Sequence, residues 1–160
     1  MNNTTFTLQQ IGTIQQEDDM SYIQFTPTYR GAALRELEYF SHAHVVWWCH
    51  FLDTPEHRAI TECEHPYTKG PEKIGVFATR SPRRPNPIAI TVAPVVKIDH
   101  EAGRMYLAFI DAAPGSPVVD VKPYHPLDRV RKASVPEWCR HWPEWYEDCA
   151  TFDWVAEIPN

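Results

Sequence analysis

The sequence of 160 residues contains no run of about 18 apolar residues, so no segment is expected to cross a bilayer. Its first eight residues lack a basic start followed by an apolar stretch, which gives no indication of secretion and favours a cytoplasmic location. A disordered chain is also excluded, because 43% of the residues are hydrophobic and 22% are charged. We expect one globular domain spanning residues 1–160.

The spacing of cysteines and histidines also indicates neither a disulfide framework nor a structural zinc site. The four cysteines are irregularly spaced, and reduced thiols fit a cytosolic setting. Histidines lie near several of them, but neither the C-x2-C nor the H-x3–5-H spacing of structural zinc sites occurs. We therefore predict no metal site. The cysteines are Cys49, Cys63, Cys139 and Cys149.

Glycine is scarce, with six residues against fifteen prolines. Each interior proline would destabilise an α-helix by about 3 kcal/mol, which favours strand-rich, irregular structure over long helices. Neither G-x-G-x-x-G nor G-x-x-x-x-G-K-[ST] occurs, so the sequence gives no support to a Rossmann-type nucleotide enzyme.

Positive charge is in short supply as well. Fifteen basic residues against twenty-one acidic ones give a formal net charge of −6. Attraction of the whole molecule to a polyanion is therefore absent, and any contact with nucleic acid has to be local. Basic residues cluster at 80–84 and 129–132, and for the second cluster we favour a solvated surface.

Hydrophobic alternation predicts six or seven strands and one short helix. The predicted strands are residues 7–15, 22–25, 41–51, 74–79, 88–98, 104–110 and 118–121. Residues 41–51 are apolar enough for a central strand, and residues 99–103 read as a hairpin turn. Residues 27–40 are predicted to be helical and residues 53–73 to form a long loop. The pattern predicts a mainly β fold, a small mixed β-barrel with one short helix and long proline-rich loops.

The connection between Gly75 and Ile88 is the first candidate site. Its three prolines fix φ at alternate positions, so we expect a stiff loop that presents polar groups without a large entropy loss. Arg80 can form a forked pair with a carboxylate, and Asn86 can pair with both a donor and an acceptor on a planar base. The alternative is a proline-rich turn whose arginines only face water.

Residues 111–124 form a second proline-rich connection that ends in polar side chains. Asp120 and Lys122 alternate across a strand end and are expected to point the same way, with Tyr124 just beyond them. Such a group can bind a polar ligand or transfer a proton. An ion pair next to a core tyrosine is an equally good interpretation of the spacing.

Residues 77–88, FATRSPRRPNPI, closely resemble the TsaA/TrmO-like family, also called YaeB-like. The resemblance extends to residues 37–41 (LEYFS), 75–91 and 118–126 (VVDVKPYHP), in the same order along the chain. It implies a small mainly-β barrel that forms a homodimer and binds S-adenosyl-L-methionine without a Rossmann fold. Characterised members methylate the exocyclic amine of threonylcarbamoyl-adenosine next to the tRNA anticodon.

The resemblance also implies roles for individual residues, by position. The S-adenosylmethionine pocket would take two residues after the central strand, three from the loop at 75–88, one from the strand that follows this loop, and the closing segment 111–115. The catalytic group would lie near the same pocket. The predicted cofactor residues are His50, Phe51, Phe77, Arg80, Asn86, Ile90, Asp111, Ala112, Ala113, Pro114 and Gly115. The predicted catalytic residues are Asp120, Lys122 and Tyr124, with Tyr124 or Asp120 accepting the amine proton.

Two departures from the family pattern bear on the substrate. No arginine precedes Arg30, where tRNA-modifying members often carry basic residues, and residues 135–146 form an acidic aromatic tail in place of a C-terminal extension. The leading hypothesis is a methyltransferase acting on an adenosine amine in tRNA. The alternative is an S-adenosylmethionine-binding protein that acts on a small molecule or senses the cofactor, without tRNA activity.

Overall fold

The structure, a computed structural model, describes residues 4–159. Backbone contacts divide them into two units. The barrel unit runs to Asp53 and resumes over Pro87–Asp128, and the second unit comprises Thr54–Asn86 and the chain from Arg129 onward. Residues 1–3 and 160, which fall within the predicted single domain, lie outside the described part. Within residues 4–159, no helix has the length and apolar character to span a membrane.

The strands are β1 (Gly12–Glu17), β2 (Met20–Phe25), β3 (His42–Trp48), β4 (Glu62–Glu64), β5 (Lys73–Gly75), β6 (Ile88–Asp99), β7 (Arg104–Leu107) and β8 (Pro117–Pro123). Six of them, all in the barrel unit, close into a barrel in the order β1-β2-β7-β6-β3-β8, and neighbouring strands are antiparallel. This confirms the predicted mainly β barrel, because every edge is paired when β8 meets β1. Strands β4 and β5 form a separate ladder in the second unit.

Strand β3 is central, as predicted, since it pairs with β6 on one side and β8 on the other. Its side chains alternate: Ala43, Val45 and Trp47 are buried inside the barrel, whereas His44 and Val46 point outward and are half-buried. The barrel core is completed by inward residues of the other strands. These include Ile14, Ile23, Phe25, Ala93, Met105, Leu107 and Val118, each at most 4% exposed.

The hairpin predicted at residues 99–103 is confirmed and joins β6 to β7. Gly103 has a φ of +65°, and the Ala102 backbone N–H donates to Asp99 Oδ1 at 2.9 Å. Residues with a Cβ avoid this left-handed backbone conformation, so glycine is the residue that the turn requires.

The predicted helix at residues 27–40 is wrong. The segment forms three separate 3-10 helices, Pro27–Tyr29, Gly31–Leu34 and Leu37–Tyr39. Gly31 and Glu36 have φ values of +63° and +70°, and an α-helix cannot continue through such left-handed residues. The helical spacing of apolar residues reflects Leu34 and Leu37 turning toward the core in separate turns.

Several predicted boundaries also need correction. The strand expected at 7–15 begins at Gly12, where pairing with Phe25 of β2 starts, and continues to Glu17. The strand expected at 74–79 ends at Gly75 and gives way to the 3-10 helix Val76–Ala78, and the strand expected at 104–110 ends at Leu107. The loop expected at 53–73 contains β4 and a short α-helix, α1 (Pro55–Arg58), and a second α-helix, α2 (Trp154–Glu157), ends the described chain.

Aromatic side chains hold the second unit together. Tyr67 stacks on Trp138, with ring centroids 4.9 Å apart and planes 17° apart, and Trp142 meets both rings edge-on. Burial raises the pKa of the Tyr67 phenol above its ordinary value. The loop that contains Tyr67 is thereby fixed to the C-terminal segment through apolar contact.

A buried carboxylate anchors the end of that segment. Glu157 is 5% exposed, and His141 Nε2 lies 2.9 Å from its Oε2. Burial alone would raise the pKa of Glu157, but the Trp142 and His141 side chains and the charge of Lys69 outweigh it and hold the pKa below its ordinary value. The ionised carboxylate is therefore paired with His141 through Oε2, whereas its buried Oε1 has no hydrogen-bond partner among residues 4–159.

The β6–β7 turn gives the first testable prediction. Gly103→Ala should destabilise the protein by at least about 1–2 kcal/mol, because a left-handed φ is unfavourable for alanine and the new Cβ would lie 2.6 Å from Arg30 Cβ. Urea unfolding followed by circular dichroism measures the change. Gly75→Ala is the matched control, since its Cβ meets nothing within 4 Å and its φ is −57°. Equal stabilities of the two variants would contradict the role assigned to Gly103.

Candidate functional site

His50 and Phe51 follow directly on β3, in the 3-10 helix His50–Leu52. The Cys49 backbone N–H donates to the Pro87 carbonyl at 2.8 Å, which fixes the start of this turn. The two rings pack at a centroid distance of 3.9 Å, and the Phe51 side chain is 71% exposed. His50 Nδ1 is buried, and no group among residues 4–159 hydrogen-bonds to it. An exposed aromatic face and an unpaired ring nitrogen therefore stand next to each other.

The predicted closing segment, Asp111 to Gly115, lies near this turn. Gly115 has a φ of +89°, and a Cβ built on it would lie 3.9 Å from His50 Nε2. The Gly115 N–H donates to the Ile14 carbonyl at 2.8 Å, and the Ser116 N–H donates to the Ala113 carbonyl at 3.1 Å. Backbone hydrogen bonds thus hold the segment against β1 and close to His50.

Two residues that the sequence analysis missed attach Asp111 to the barrel interior. Trp47 Nε1 donates to Thr91 Oγ1 at 3.0 Å, and the Thr91 hydroxyl donates to Asp111 Oδ1. Thr91 is 8% exposed and Trp47 is 8% exposed, whereas Asp111 is exposed. A signal was present in the sequence, because Thr91 is a hydroxyl residue at an inward position of the apolar strand β6.

Ile90, the predicted cofactor residue on β6, lies on the outer face of the barrel and is 56% exposed. Its register partner on β3 is Val46, whose partner on β8 is Asp120. The next outward row is Val92, His44 and Lys122. Since adjacent strands are about 4.8 Å apart, Ile90 and Asp120 are separated by roughly 10 Å on one surface.

The interpretation of Asp120 and Lys122 as an ion pair is confirmed. Lys122 Nζ lies 2.6 Å from Asp120 Oδ2, and the Val121 N–H donates to Asp120 Oδ1 at 2.9 Å. The two side chains point the same way, as their spacing predicts, and the Lys122 side chain remains 68% exposed and that of Asp120 44% exposed. The pair is therefore held in place yet open to a ligand.

Tyr124 extends the row of polar residues past β8. Its backbone N–H donates to the His42 carbonyl at 3.0 Å, and its ring lies 5.4 Å from the His44 ring. His44 Nε2 in turn lies 3.2 Å from Asp128 Oδ2. The His125 backbone N–H and the His44 side chain hold the pKa of Asp128 below its ordinary value. His44 was assigned no role in the sequence analysis.

Phe77, Arg80 and Asn86 belong to the second unit and are all exposed, Phe77 by 80%. Hydrogen bonds within the loop support its predicted stiffness. The Thr79 hydroxyl donates to the Val76 carbonyl at 2.9 Å and accepts the Ser81 N–H at 3.2 Å.

Two arginines stiffen the same loop further. Arg84 Nη1 donates to the Thr79 carbonyl at 3.2 Å, and Arg58 Nη1 donates to the Pro85 carbonyl at 3.2 Å. Arg84 therefore supports the loop backbone, whereas Arg80 and Arg83 are exposed.

The predicted residues thus fall into three groups. The barrel unit brings His50 and Phe51 near Gly115, and separately aligns Ile90, Asp120 and Lys122 across three strands. The second unit carries the loop residues.

An open groove of about 390 Å³ in the barrel unit is lined by none of the predicted site residues. It is formed by Phe6, Thr7, Leu8, Gln10, Trp48, Pro117 and Val119. In residues 4–159, no three His, Cys, Asp or Glu side chains are grouped to hold a metal ion.

Comparison with known proteins gives consistent matches. The family model described as the tRNA-methyltransferase O N-terminal domain matches residues 8–128. A probable S-adenosyl-L-methionine-binding protein of Pyrococcus horikoshii is 36% identical over 125 residues, which cover 76% of this chain and 85% of that protein. The human tRNA (adenine(37)-N6)-methyltransferase is 41% identical over 92 residues, but these cover 58% of this chain and only 20% of the human protein.

Solved structures agree with the fold. A crystal structure of TrmO superposes with a TM-score of 0.64 at 28% identity, covering 84% of this chain and 62% of that one. TrmO from Pseudomonas aeruginosa gives a TM-score of 0.61 at 27% identity, covering 82% of this chain. This chain therefore spans somewhat less than two thirds of the TrmO chains that it matches.

The loop around Thr79 yields the second prediction. Thr79→Val should lower the free energy of unfolding by about 1–2 kcal/mol, because it removes one hydrogen bond and leaves the Ser81 N–H without its acceptor. Amide hydrogen exchange at Ser81 should become faster. Thr79→Ser keeps the hydroxyl and should retain the slow exchange. If the Ser81 amide exchanges at the native rate in Thr79→Val, the hydroxyl does not hold the loop.

Proposed function

Because the chain belongs to the family of the tRNA-methyltransferase O N-terminal domain, a family of S-adenosylmethionine-dependent methyltransferases, we propose that it methylates an adenosine amine in tRNA. The acceptor that we propose is the exocyclic amine of threonylcarbamoyl-adenosine. One observation carries the proposal: the family match over residues 8–128 includes every predicted cofactor and catalytic residue, from His50 to Tyr124.

The exposed residues fit the cofactor. An adenosine and a thioether need apolar walls, and Phe51, Phe77 and Ile90 are 71%, 80% and 56% exposed. The amino-acid end needs fixed polar groups, for which Arg80 and Asp111 are available. The buried and unpaired His50 Nδ1 is one more polar atom for which a ligand can supply a partner. We assign cofactor contacts to these six residues, and also to Asn86 and to the segment from Ala112 to Gly115.

Methyl transfer to an amine requires that the cofactor and the amine be held in position and that one proton be removed from the nitrogen. When bound, S-adenosylmethionine supplies a sulfonium methyl group, which passes to the amine nitrogen as the carbon–sulfur bond breaks. Asp120 or Tyr124 accepts the proton that the nitrogen loses. Lys122, 2.6 Å from Asp120, fixes the direction of that carboxylate. The rest of the rate enhancement comes from holding the two reactants in line.

A second function has its own support. The relative from Pyrococcus horikoshii, of which this chain covers 85%, is named an S-adenosyl-L-methionine-binding protein. The net charge of −6 also opposes attraction to a polyanion. The alternative is therefore a protein that binds the cofactor and acts on a small molecule or senses the cofactor. The homodimer that the family resemblance implies, and a cytoplasmic location, belong to either version of the proposal.

Methyl transfer from labelled S-adenosylmethionine tests the substrate. We expect label to enter tRNA that carries threonylcarbamoyl-adenosine and not the same tRNA without the modification. Label in neither tRNA, with the cofactor still bound, would favour the alternative function. Label in both at the same rate would overturn the acceptor while leaving tRNA methylation intact.

Calorimetric titration with S-adenosylmethionine tests the assigned loop residues. Arg80→Ala should weaken binding by about 10- to 100-fold, the range expected when a charged hydrogen bond is lost. Phe77→Ala should also weaken binding, because it removes an apolar wall. Arg83→Ala is the matched control, being an exposed arginine of the same loop outside the assigned set, and should bind normally. Equal affinities of the Arg80 and Arg83 variants would remove Arg80 from the site.

A further inference from the structure

Thr91 occupies an unusual position inside the barrel. It lies between Ala89 and Ala93 on the inward face of β6, pairs with buried Val45 of β3, and is 8% exposed. A buried hydroxyl without a hydrogen bond costs about 1–3 kcal/mol, whereas valine would fill the same volume without that cost. Threonine at this point therefore depends on its hydrogen bonds.

The direction of those bonds follows from the donor chemistry. The Trp47 indole N–H can only donate, so Thr91 Oγ1 accepts it at 3.0 Å. The single Thr91 proton is then available for the carboxylate, and it is donated to Asp111 Oδ1. Trp47 and Thr91 lie on strands β3 and β6, which pair over seven residues. The paired strands β3 and β6 thereby set the position of one carboxylate oxygen, Asp111 Oδ1.

Asp111 itself is an exposed loop residue, four positions past the end of β7 and next to buried Ile110. Without the bond from Thr91, its carboxylate would be free to rotate in solvent. We propose that Thr91 and Trp47 are positioning residues that hold Asp111 ready to accept hydrogen bonds from the cofactor. The proposal rests on the cofactor role assigned to Asp111 above. The donor to Asp111 is a hydroxyl or ammonium group, the classes that a fixed carboxylate recognises.

Cofactor titration of full-length variants tests this role. Thr91→Val is nearly isosteric and should weaken S-adenosylmethionine binding about 3- to 10-fold, because Asp111 must then be ordered on binding. Trp47→Phe should act in the same direction. Thr91→Ser keeps the hydroxyl and should restore affinity to within about twofold of the native chain. Thermal unfolding of each variant confirms that the fold is retained.

The rank order separates positioning from packing. If Thr91 only filled space, Thr91→Ser would leave a small cavity and be the more damaging change, while Thr91→Val would bind normally. That order would overturn the proposal. A double variant gives an independent check: Asp111→Ala removes the acceptor of the Thr91 hydroxyl, so Thr91→Val should have no further effect on binding once Asp111→Ala is present. Full additivity of the two losses would also overturn it.

Cofactor binding by the native chain separates failure of the proposed cofactor function from failure of the positioning role. Absence of binding by the native protein would end the proposed cofactor function, and the positioning role with it. Native binding that is unchanged in Thr91→Val would overturn the positioning role alone and leave the cofactor function standing.

Discussion

The pairing of β3 with strands on both sides organises the molecule. β6 and β8 hydrogen-bond to it along nearly its whole length, so its alternating side chains are fixed by backbone geometry. The inward set, with Ala43 and Val45 fully buried, closes the core. The outward set places Val46 between Ile90 and Asp120. Where the strand ends, the chain turns at once into His50 and Phe51. One strand thus determines the positions of both candidate groups in the barrel unit.

A register shift adjusts the outward set. Between Val46 and Trp47 the partner on β8 changes from Asp120 to Val118, which leaves Val119 as an extra residue. Such a bulge re-aims side chains without breaking the sheet. Here Val118 stays in the core while Asp120 faces outward beside Lys122, so a buried strand end and an exposed ion pair coexist two residues apart. The sequence shows no sign of the bulge, because Val118 and Val119 are the same residue type and either can be the inward one.

How well the sequence predicts each element depends on where its stability originates. The prediction for β3 ran three residues too far, to Phe51. Strands β2 and β6 were predicted to within two residues, because runs of β-branched and aromatic residues favour strands. Residues 27–40 were not, because their three turns depend on left-handed backbone at Gly31 and Glu36, and apolar spacing carries no information about φ at a non-glycine residue. The residues of the candidate site likewise differ in how far the sequence predicts them. The resemblance predicts Arg80 from the motif at 77–88 and Asp120 from the motif at 118–126, whereas the inward hydroxyl of Thr91 acquires a role only through its hydrogen bonds to Trp47 and Asp111.

The arginine-rich loop offers few free cations to the proposed tRNA substrate. Of its three arginines, Arg84 is committed to the Thr79 carbonyl and supports the backbone. Arg80 is assigned to the cofactor, so only the exposed Arg83 of this loop is left to meet phosphates, and counterion release at the loop can contribute only weakly. We therefore expect the proposed acceptor to be selected by the shape and hydrogen bonding of its base. This requirement agrees with rigid loops, since a site that cannot attract its substrate from a distance gains most from groups that need no rearrangement on contact.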